Sequence, residues 1–195
     1  MLRRPTDSID SRPHAIGSVN MHIVDTLRVS QLTPLDVVGV DVVADVYVYV
    51  DEYIPLRFRT YRDPLGVSYF RLGNYRTTLA ELAVEPRTHT VRGLTVMSIS
   101  SLSPWPRPDL ADVEEGLPVI PESLDGGEVV DLPHDFSVAS RPGEIVVFWR
   151  QLVGCRGARV GNACFLITDS ILSGVWFTGL TKTQTHLFNS QACAG

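Results

Sequence analysis

A strand–turn–strand pattern that occurs twice constrains the fold of this chain more than any other feature. In residues 81–100, and again in residues 164–180, an apolar run ends in a polar turn and a second apolar run follows. Each second run carries one glycine near its start, Gly93 in the first copy and Gly174 in the second. Short apolar runs that are bounded by turn residues are typical of antiparallel hairpins. The repeat therefore predicts β-structure built from two similar halves.

The segment 38–51 alternates with a period of two. Its odd positions are mostly polar or aromatic, whereas its even positions are apolar: Val38, Val40, Val42, Ala44, Val46, Val48 and Val50. Valine is a poor helix former because its branched side chain is restricted in a helix. We therefore predict one strand over 38–51, with its even face on the core and its odd face partly solvated.

Other apolar runs predict strands at 67–72 and 144–149. The segment 154–161 holds three glycines and is predicted to be a loop. Helical periodicity is weak, and short helices fit the pattern only at 33–37 or 110–115. We predict a mainly β fold, with a β-rich α+β fold as the alternative. In this fold two related antiparallel hairpin units form a sandwich or a strongly bent sheet.

The domain organisation follows from changes in composition along the chain. Residues 1–20 are polar and lack a period, which predicts a flexible N-terminal arm. Residues 21–195 are predicted to form one globular domain with similar halves at about 37–103 and 142–188. An acidic, proline-rich connector joins the halves and contains two short apolar runs that predict strands. These runs are 117–120 and 129–132.

Charge and hydropathy argue against two classes of partner. The formal net charge is −5, Lys182 is the only lysine, and no cluster of five or more basic residues occurs, so phosphate-backbone binding is not predicted. No apolar run is long enough to span a bilayer, and none follows the basic residues at the N-terminus. We expect a cytoplasmic protein that starts at Met1 or Met21. The use of arginine in place of lysine is typical of a GC-rich bacterial genome.

Three residues are candidates for catalysis. The adjacent His134 and Asp135 could form a base and its orienting carboxylate, although neighbouring strand residues point to opposite faces. Cys155 could act as a nucleophile with His89, His134 or His186. The competing interpretations are a turn at His134–Asp135 and a surface cysteine at Cys155, and we prefer them. A small hydrolase or isomerase on a β-scaffold remains the alternative function.

No cofactor or metal site is predicted. The three cysteines Cys155, Cys164 and Cys193 contain no CxxC pair, and the five histidines are isolated from one another. The glycines at 154–161 fit neither a dinucleotide motif nor a P-loop. Cys164 alternates with Leu166 in a predicted strand and is expected to be a small core residue.

Two regions are candidates for protein binding. Tyrosines and arginines interleave in the first half, as in many interface hot spots, although solvated strand-face side chains are an equal alternative. The connector from Asp109 to Asp135 carries nine acidic residues and no lysine or arginine, so it could attract a basic partner or simply be solvated. The candidate contact residues are Tyr47, Tyr49, Trp105, Glu114, Glu115, Asp125 and Glu128.

Two parts of the chain resemble a known class of proteins. The segment 82–97, preceded by 69–73, is similar to a pattern in small bacterial immunity proteins of polymorphic or contact-dependent toxin systems. The segments 145–149 and 162–175 resemble the second half of those proteins. The resemblance implies a non-enzymatic inhibitor that binds a cognate toxin, such as a basic nuclease-type domain. It implies no specific binding residues, and it leaves open a homodimer or a structural protein that oligomerises through its strands.

Overall fold

The computed structural model describes residues 26–42, 46–61, 66–121 and 127–192. The predicted arm, the choice of start residue, Asp125 and Cys193 lie outside the described residues. In chain order the strands are β1 (Gln31–Thr33), β2 (Val46–Tyr49), β3 (Leu56–Thr60), β4 (Ser68–Leu72), β5 (Leu79–Glu85), β6 (Thr90–Ser98), β7 (Leu110–Glu115), β8 (Leu117–Val119), β9 (Val129–Leu132), β10 (Ser137–Arg141), β11 (Glu144–Phe148), β12 (Cys155–Val160), β13 (Ala163–Thr168) and β14 (Ile171–Phe177). Helix α1 is Lys182–Ala192.

The described strands form two sheets that pack face to face. The first sheet has eight strands in the order β1-β8-β6-β5-β4-β9, with β3 paired to β6 and β2 paired to β3. The second has six strands in the order β10-β11-β14-β13-β12-β7. Between the sheets, the ring of Phe58 lies 5.8 Å from that of Phe165 and 5.7 Å from that of Phe177. The prediction of a mainly β sandwich is therefore confirmed.

The two predicted hairpins are present and occupy matching places. Strand β6 lies between β5 and β3, and β14 lies between β13 and β11. Gly93 pairs with Ala83, and the hairpin register shifts directly after Ala83. Gly174 pairs with Leu166, and the register shifts directly after Leu166. Each hairpin therefore has a register shift at its glycine, and the first hairpin has a second shift after Leu79.

Close approach of a neighbouring strand explains why both copies carry this glycine. A Cβ atom on Gly93 would lie 2.7 Å from the carbonyl oxygen of Phe58 in β3. A Cβ atom on Gly174 would lie 2.6 Å from the carbonyl oxygen of Val147 in β11. Both distances are shorter than a carbon–oxygen contact allows, so a side chain would push the strands apart.

The prediction of one continuous strand over 38–51 is wrong. Among the described residues of this segment only Val46–Tyr49 is a strand, and Ala44 lies outside the described residues. Residues 35–39 form a turn in which the amide of Val40 donates to the carbonyl of Leu35 at 2.9 Å. Gly39 has a φ of 64° within this turn, which an extended strand does not permit. The even face is nevertheless directed to the core. Val40 and Val50 are buried, and four other valines are partly buried against the core: Val38, Val42, Val46 and Val48.

Two further predictions fail for long-range reasons. The segment predicted as a glycine-rich loop contains strand β12, and 110–115 is strand β7 where a helix had seemed to fit. The two strands pair in parallel, with Gly157 opposite Val113. A Cβ atom on Gly157 would lie 2.8 Å from the sulfur of Cys164, so this glycine serves close packing. The segment 33–37 is likewise not helical, because Thr33 ends β1 and a turn follows.

The connector supplies strands to both sheets. Strand β7 pairs with β12 at the edge of the second sheet, and β9 pairs with β4 at the edge of the first. Strand β8 pairs with β1 and, through Val119 and Thr90, with β6. The predicted short strands near 117–120 and 129–132 are thus confirmed, whereas β7 was missed.

Helix α1 was also missed, although the sequence carries its start signal. The hydroxyl of Thr181 accepts from the amide of Gln184 at 3.1 Å, and the Gln184 side chain accepts from the amide of Thr181 at 2.9 Å. This reciprocal pair is a capping box. Thr185, Phe188 and Ala192 form the buried face of the helix.

Candidate functional site

The three candidate catalytic residues each bond to a different structural partner. The Nε2 atom of His134 lies 2.8 Å from the carbonyl oxygen of Trp149. The carboxylate of Asp135 accepts from the hydroxyl of Thr78 at 2.9 Å. The sulfur of Cys155 lies 3.2 Å from the hydroxyl oxygen of Thr168. None of these bonds joins two of the candidates, and each one fastens a loop or strand to its neighbour.

The environment of Cys155 opposes nucleophilic chemistry. The residue is fully buried, so the prediction of a surface cysteine is wrong. Burial raises the pKa of the Cys155 thiol, because the thiolate would lose its hydration. Cys164 is also buried, as expected for a small core residue, and burial raises the pKa of its thiol too.

The described ranges contain neither a candidate metal site nor a candidate membrane-spanning helix. Within these ranges no group of three or more His, Cys, Asp and Glu residues is placed to hold a metal ion. In the same part of the chain no helix is long and apolar enough to cross a membrane.

The outer face of the second sheet is apolar and is covered by the connector. Its buried residues include Val146, Cys164 and Leu166, and Trp105 packs against them. The Trp105 ring lies 6.5 Å from the ring of Trp176, and the guanidinium of Arg141 lies 4.3 Å above the Trp105 ring. Trp105 is therefore half-buried against its own chain.

Strand β7 forms an acidic edge, which we define as Asp112, Glu114 and Glu115. All three side chains are exposed, and in the described residues β7 has a strand neighbour on one side only. Asp112 stands opposite Arg156 and Glu115 opposite Arg159, whereas Glu114 stands opposite Ala158. Two of the three carboxylates thus have a basic cross-strand neighbour, so the negative field of the edge is strongest at Glu114.

Glu128, another candidate contact, is exposed just before β9. Its carbonyl oxygen accepts from the amide of Tyr69 at 2.9 Å, which holds the connector to the first sheet. The side chain therefore projects from a segment whose backbone is fixed.

The outer face of the first sheet carries a different surface, which we call the Tyr–Arg trough. This concavity is open to solvent and has a volume of about 110 Å³. Gly93 and Ala83 form its floor, and other side chains line its walls and mouth. These are Arg57, Arg59, Tyr61, Tyr69, Glu81, Thr95 and Met97.

The strand register explains the shape of the trough. Arg59, Gly93, Ala83 and Tyr69 lie in one row across β3, β6, β5 and β4. Large side chains occupy the ends of this row and the two smallest residue types occupy its centre. A groove therefore runs between two walls on an otherwise flat sheet.

Tyr47 and Tyr49 lie beside the trough on β2. Tyr47 pairs with Arg59 and Tyr49 pairs with Arg57, so both candidate tyrosines extend the arginine wall. The hydroxyl of Tyr47 donates to the carbonyl of Tyr61 at 3.4 Å. Tyr49 is 53% exposed and is open to a partner.

The arginines of the trough have few partners within the protein. The guanidinium of Arg59 lies 5.6 Å from the centre of the Tyr61 ring. The Nε of Arg57 is shielded from solvent and has no hydrogen-bond partner. Across the described ranges, neither arginine forms an ion pair with a carboxylate. Burial raises the pKa of Tyr61, so its hydroxyl remains protonated at neutral pH.

Comparison of the chain with models of known protein families gives no match, and comparison with curated protein sequences gives none either.

Proposed function

We propose that this chain is a non-enzymatic protein-binding module, and that the acidic edge contacts its partner. The observation that carries the proposal is the position of β7. This strand lies at the edge of the second sheet, and its acidic residues are exposed. A strand edge offers main-chain hydrogen bonds to a partner, and the carboxylates favour a basic one.

The resemblance to bacterial immunity proteins indicates the class of partner. An immunity protein acts in the cytoplasm of the cell that makes the toxin and blocks the active or binding surface of that toxin. A nuclease-type toxin is basic where it holds phosphate, so an acidic inhibitor speeds association and adds specificity. The exposed carboxylates of β7 and of Glu128 suit this role.

The cross-strand neighbours predict which acidic residue of the edge contributes most to the attraction of a basic partner. Glu114 lies opposite Ala158, so its charge is not offset by the adjacent strand. Glu115 lies opposite Arg159, which reduces its attraction for a cationic partner. We therefore expect Glu114 to contribute more to binding than Glu115.

The test first identifies the neighbouring genes, and it then uses the C-terminal domain of a large toxin-like protein that one of them encodes. Its binding to the wild-type chain is measured at low and at physiological ionic strength. We expect Glu114→Gln to lower the association rate several-fold and to reduce the salt dependence. Glu115→Gln should do so less, and the exposed Glu52→Gln, which lies outside the edge, is the matched control.

Three results would overturn the proposal. One is an affinity that is the same for Glu114→Gln and wild type at both ionic strengths. Another is a salt dependence that Glu52→Gln changes as much as Glu114→Gln. The third is a gene neighbourhood of metabolic enzymes without a toxin-like protein, which would favour the alternative of a small hydrolase or isomerase.

A further inference from the structure

We propose that the Tyr–Arg trough binds a single carboxylate, carried by an acidic side chain of a protein partner. This inference goes beyond the proposed function, because the trough lies on the first sheet and the acidic edge on the second. It uses the opposite charge, so it does not depend on a basic partner at β7.

The arginines supply the recognition chemistry. Arg57 and Arg59 project from the same face of β3, and each pairs with a small or polar residue of β6, Thr95 and Gly93 respectively. Their guanidinium groups lie in the walls of one concavity without an ion-pair partner among the described residues. A planar guanidinium matches the two oxygens of a carboxylate.

The Nε of Arg57 shows that this guanidinium is not fully hydrogen-bonded within the protein. It is shielded from solvent and makes no hydrogen bond, although a buried N–H group without a partner is costly. A carboxylate in the trough would not reach this covered atom, but it would bind the terminal nitrogens of the same guanidinium and place its negative charge next to the unpaired N–H group. Arg71, which also points outward from this face, differs from Arg57 because its Nε has a partner. It donates to the carboxylate of Asp131 at 2.7 Å.

The charge of the trough favours a monovalent anion. Two guanidiniums and the carboxylate of Glu81 line the space, which leaves one net positive charge. A carboxylate balances that charge. A phosphate dianion would exceed it, and Glu81 would repel the dianion more strongly than it repels a carboxylate, so the site favours a carboxylate over a phosphate.

The rim of the trough indicates that the carboxylate belongs to a protein. Tyr49 is 53% exposed and Met97 is 40% exposed, and both flank the arginines. A small free acid would leave these side chains uncovered, whereas a protein surface would cover them. Tyr, Arg and Met are the residue types that are enriched at protein interfaces.

The experiment follows the backbone amide signals of Gly93 and Thr95 by NMR as a probe is added. The probe is a short blocked peptide of alanines with one central glutamate, and its matched control has glutamine in that place. We expect saturable shifts with the glutamate peptide and at least about tenfold weaker binding of the glutamine peptide, since a charge-assisted hydrogen bond is lost.

Variants of the chain distinguish binding in the trough from binding elsewhere on the protein surface. Arg57→Gln and Arg59→Gln should each weaken the glutamate peptide about tenfold, and Arg57→Lys should weaken it less because the charge remains. Arg71→Gln is the matched control, because Arg71 already bonds to Asp131, and it should bind as wild type does. The same spectra show whether each variant is folded.

Each remaining outcome decides against part of the proposal. Equal binding of the glutamate and glutamine peptides, or wild-type binding by Arg57→Gln and Arg59→Gln, overturns the carboxylate site. Tighter binding of inorganic phosphate than of the peptide overturns the choice of ligand. Acetate that binds as tightly as the peptide overturns the protein source and assigns the site to a small free acid.

Discussion

The outer faces of the two sheets share a register and differ in chemistry. In the second sheet, Phe148, Gly174, Leu166 and Gly157 form the row that corresponds to the row through the trough. Arg59 of the first sheet thus corresponds to Phe148. One face is apolar and lies under Trp105, whereas the other is lined by arginine and tyrosine and is open.

The shared glycine explains how one backbone arrangement allows both outcomes. Gly93 and Gly174 each lie beside a closely placed neighbouring strand of the same sheet, so the backbone is fixed in both copies. The outward side chains do not take part in that contact. They can therefore change from apolar to charged while the sandwich core stays the same.

The two hairpins also differ at the residue before the shared glycine, which is Arg92 in the first copy and Ser173 in the second. Arg92 is 5% exposed, and its guanidinium donates to Thr60 and to the carboxylate of Glu85, the latter at 3.0 Å. The Ser173 hydroxyl donates to the carbonyl of Ile171 at 3.0 Å. The first half therefore contains a buried ion pair where the second half has a hydroxyl group.

The largest effect should come from breaking this ion pair. Glu85→Ala leaves the guanidinium of Arg92 buried without its carboxylate and should lower the free energy of unfolding by about 3–5 kcal/mol. Ser173→Ala removes one neutral hydrogen bond and should cost about 1 kcal/mol. Urea denaturation measures both values. Equal losses would show that the two halves do not differ in this way.

The next largest loss of stability should come from adding a methyl group at either shared glycine. Gly93→Ala and Gly174→Ala should each lower the free energy of unfolding by about 1–3 kcal/mol, because the methyl group meets a neighbouring backbone. The larger loss is expected for Gly174, whose added Cβ would have three atoms within 3.0 Å.

Gly66→Ala is the control for these two substitutions, since nothing lies within 4 Å of a Cβ there. It should leave the stability unchanged or raise it by a few tenths of a kcal/mol. A loss at Gly93 or Gly174 no greater than that at Gly66 would contradict the proposed equivalence of the two hairpins. Urea denaturation again gives the comparison.

The smallest expected effect is a change of stability with pH. It has one contribution from the thiols of the covered face and another from Tyr61 on the open face. Burial raises the pKa of Cys155 and of Cys164 above the ordinary value of 9.0, and that of Tyr61 above 10.0. The folded chain then holds these protons more tightly than the unfolded chain, so stability is constant at lower pH and falls as pH rises.

Thermal unfolding measured between pH 7 and pH 11 checks this sign. The wild type should begin to lose stability near pH 9, where the thiols of the unfolded chain begin to ionise, and the Cys155→Ala/Cys164→Ala variant should begin near pH 10, where the tyrosine of the unfolded chain does. Stability that rises with pH in this range, or an unchanged onset in the variant, would contradict the burial of the thiols.

The sequence predicted what depends on local patterns. The repeated glycines predicted both hairpins. Strand β3 was not predicted, although the alternation of Leu56 and Phe58 with Arg57 and Arg59 is visible in the sequence. The trough itself required the pairing of Gly93 with Ala83 and with Arg59, which no local pattern contains. Interleaved arginines and tyrosines next to small residues were the available signal.

Long-range pairing also explains the missed strands. Strand β7 is acidic and exposed, so its sequence resembles a solvated segment, and it is a strand because β12 pairs with it. Helix α1 is a different case. Its capping box from Thr181 to Gln184 is visible in the sequence, but the short amphipathic pattern that follows is weak.

The crossing of the connector has a consequence for the order of events during synthesis. Strand β4 pairs with β9, which ends at Leu132, so the first sheet has an open edge at β4 until that residue has left the ribosome. An open edge with apolar neighbours can pair with other nascent chains. In the second sheet the edge of β12 can be paired at once, because its partner β7 has been synthesised before it. The early half of the chain is thus the one that most needs protection while it is being translated.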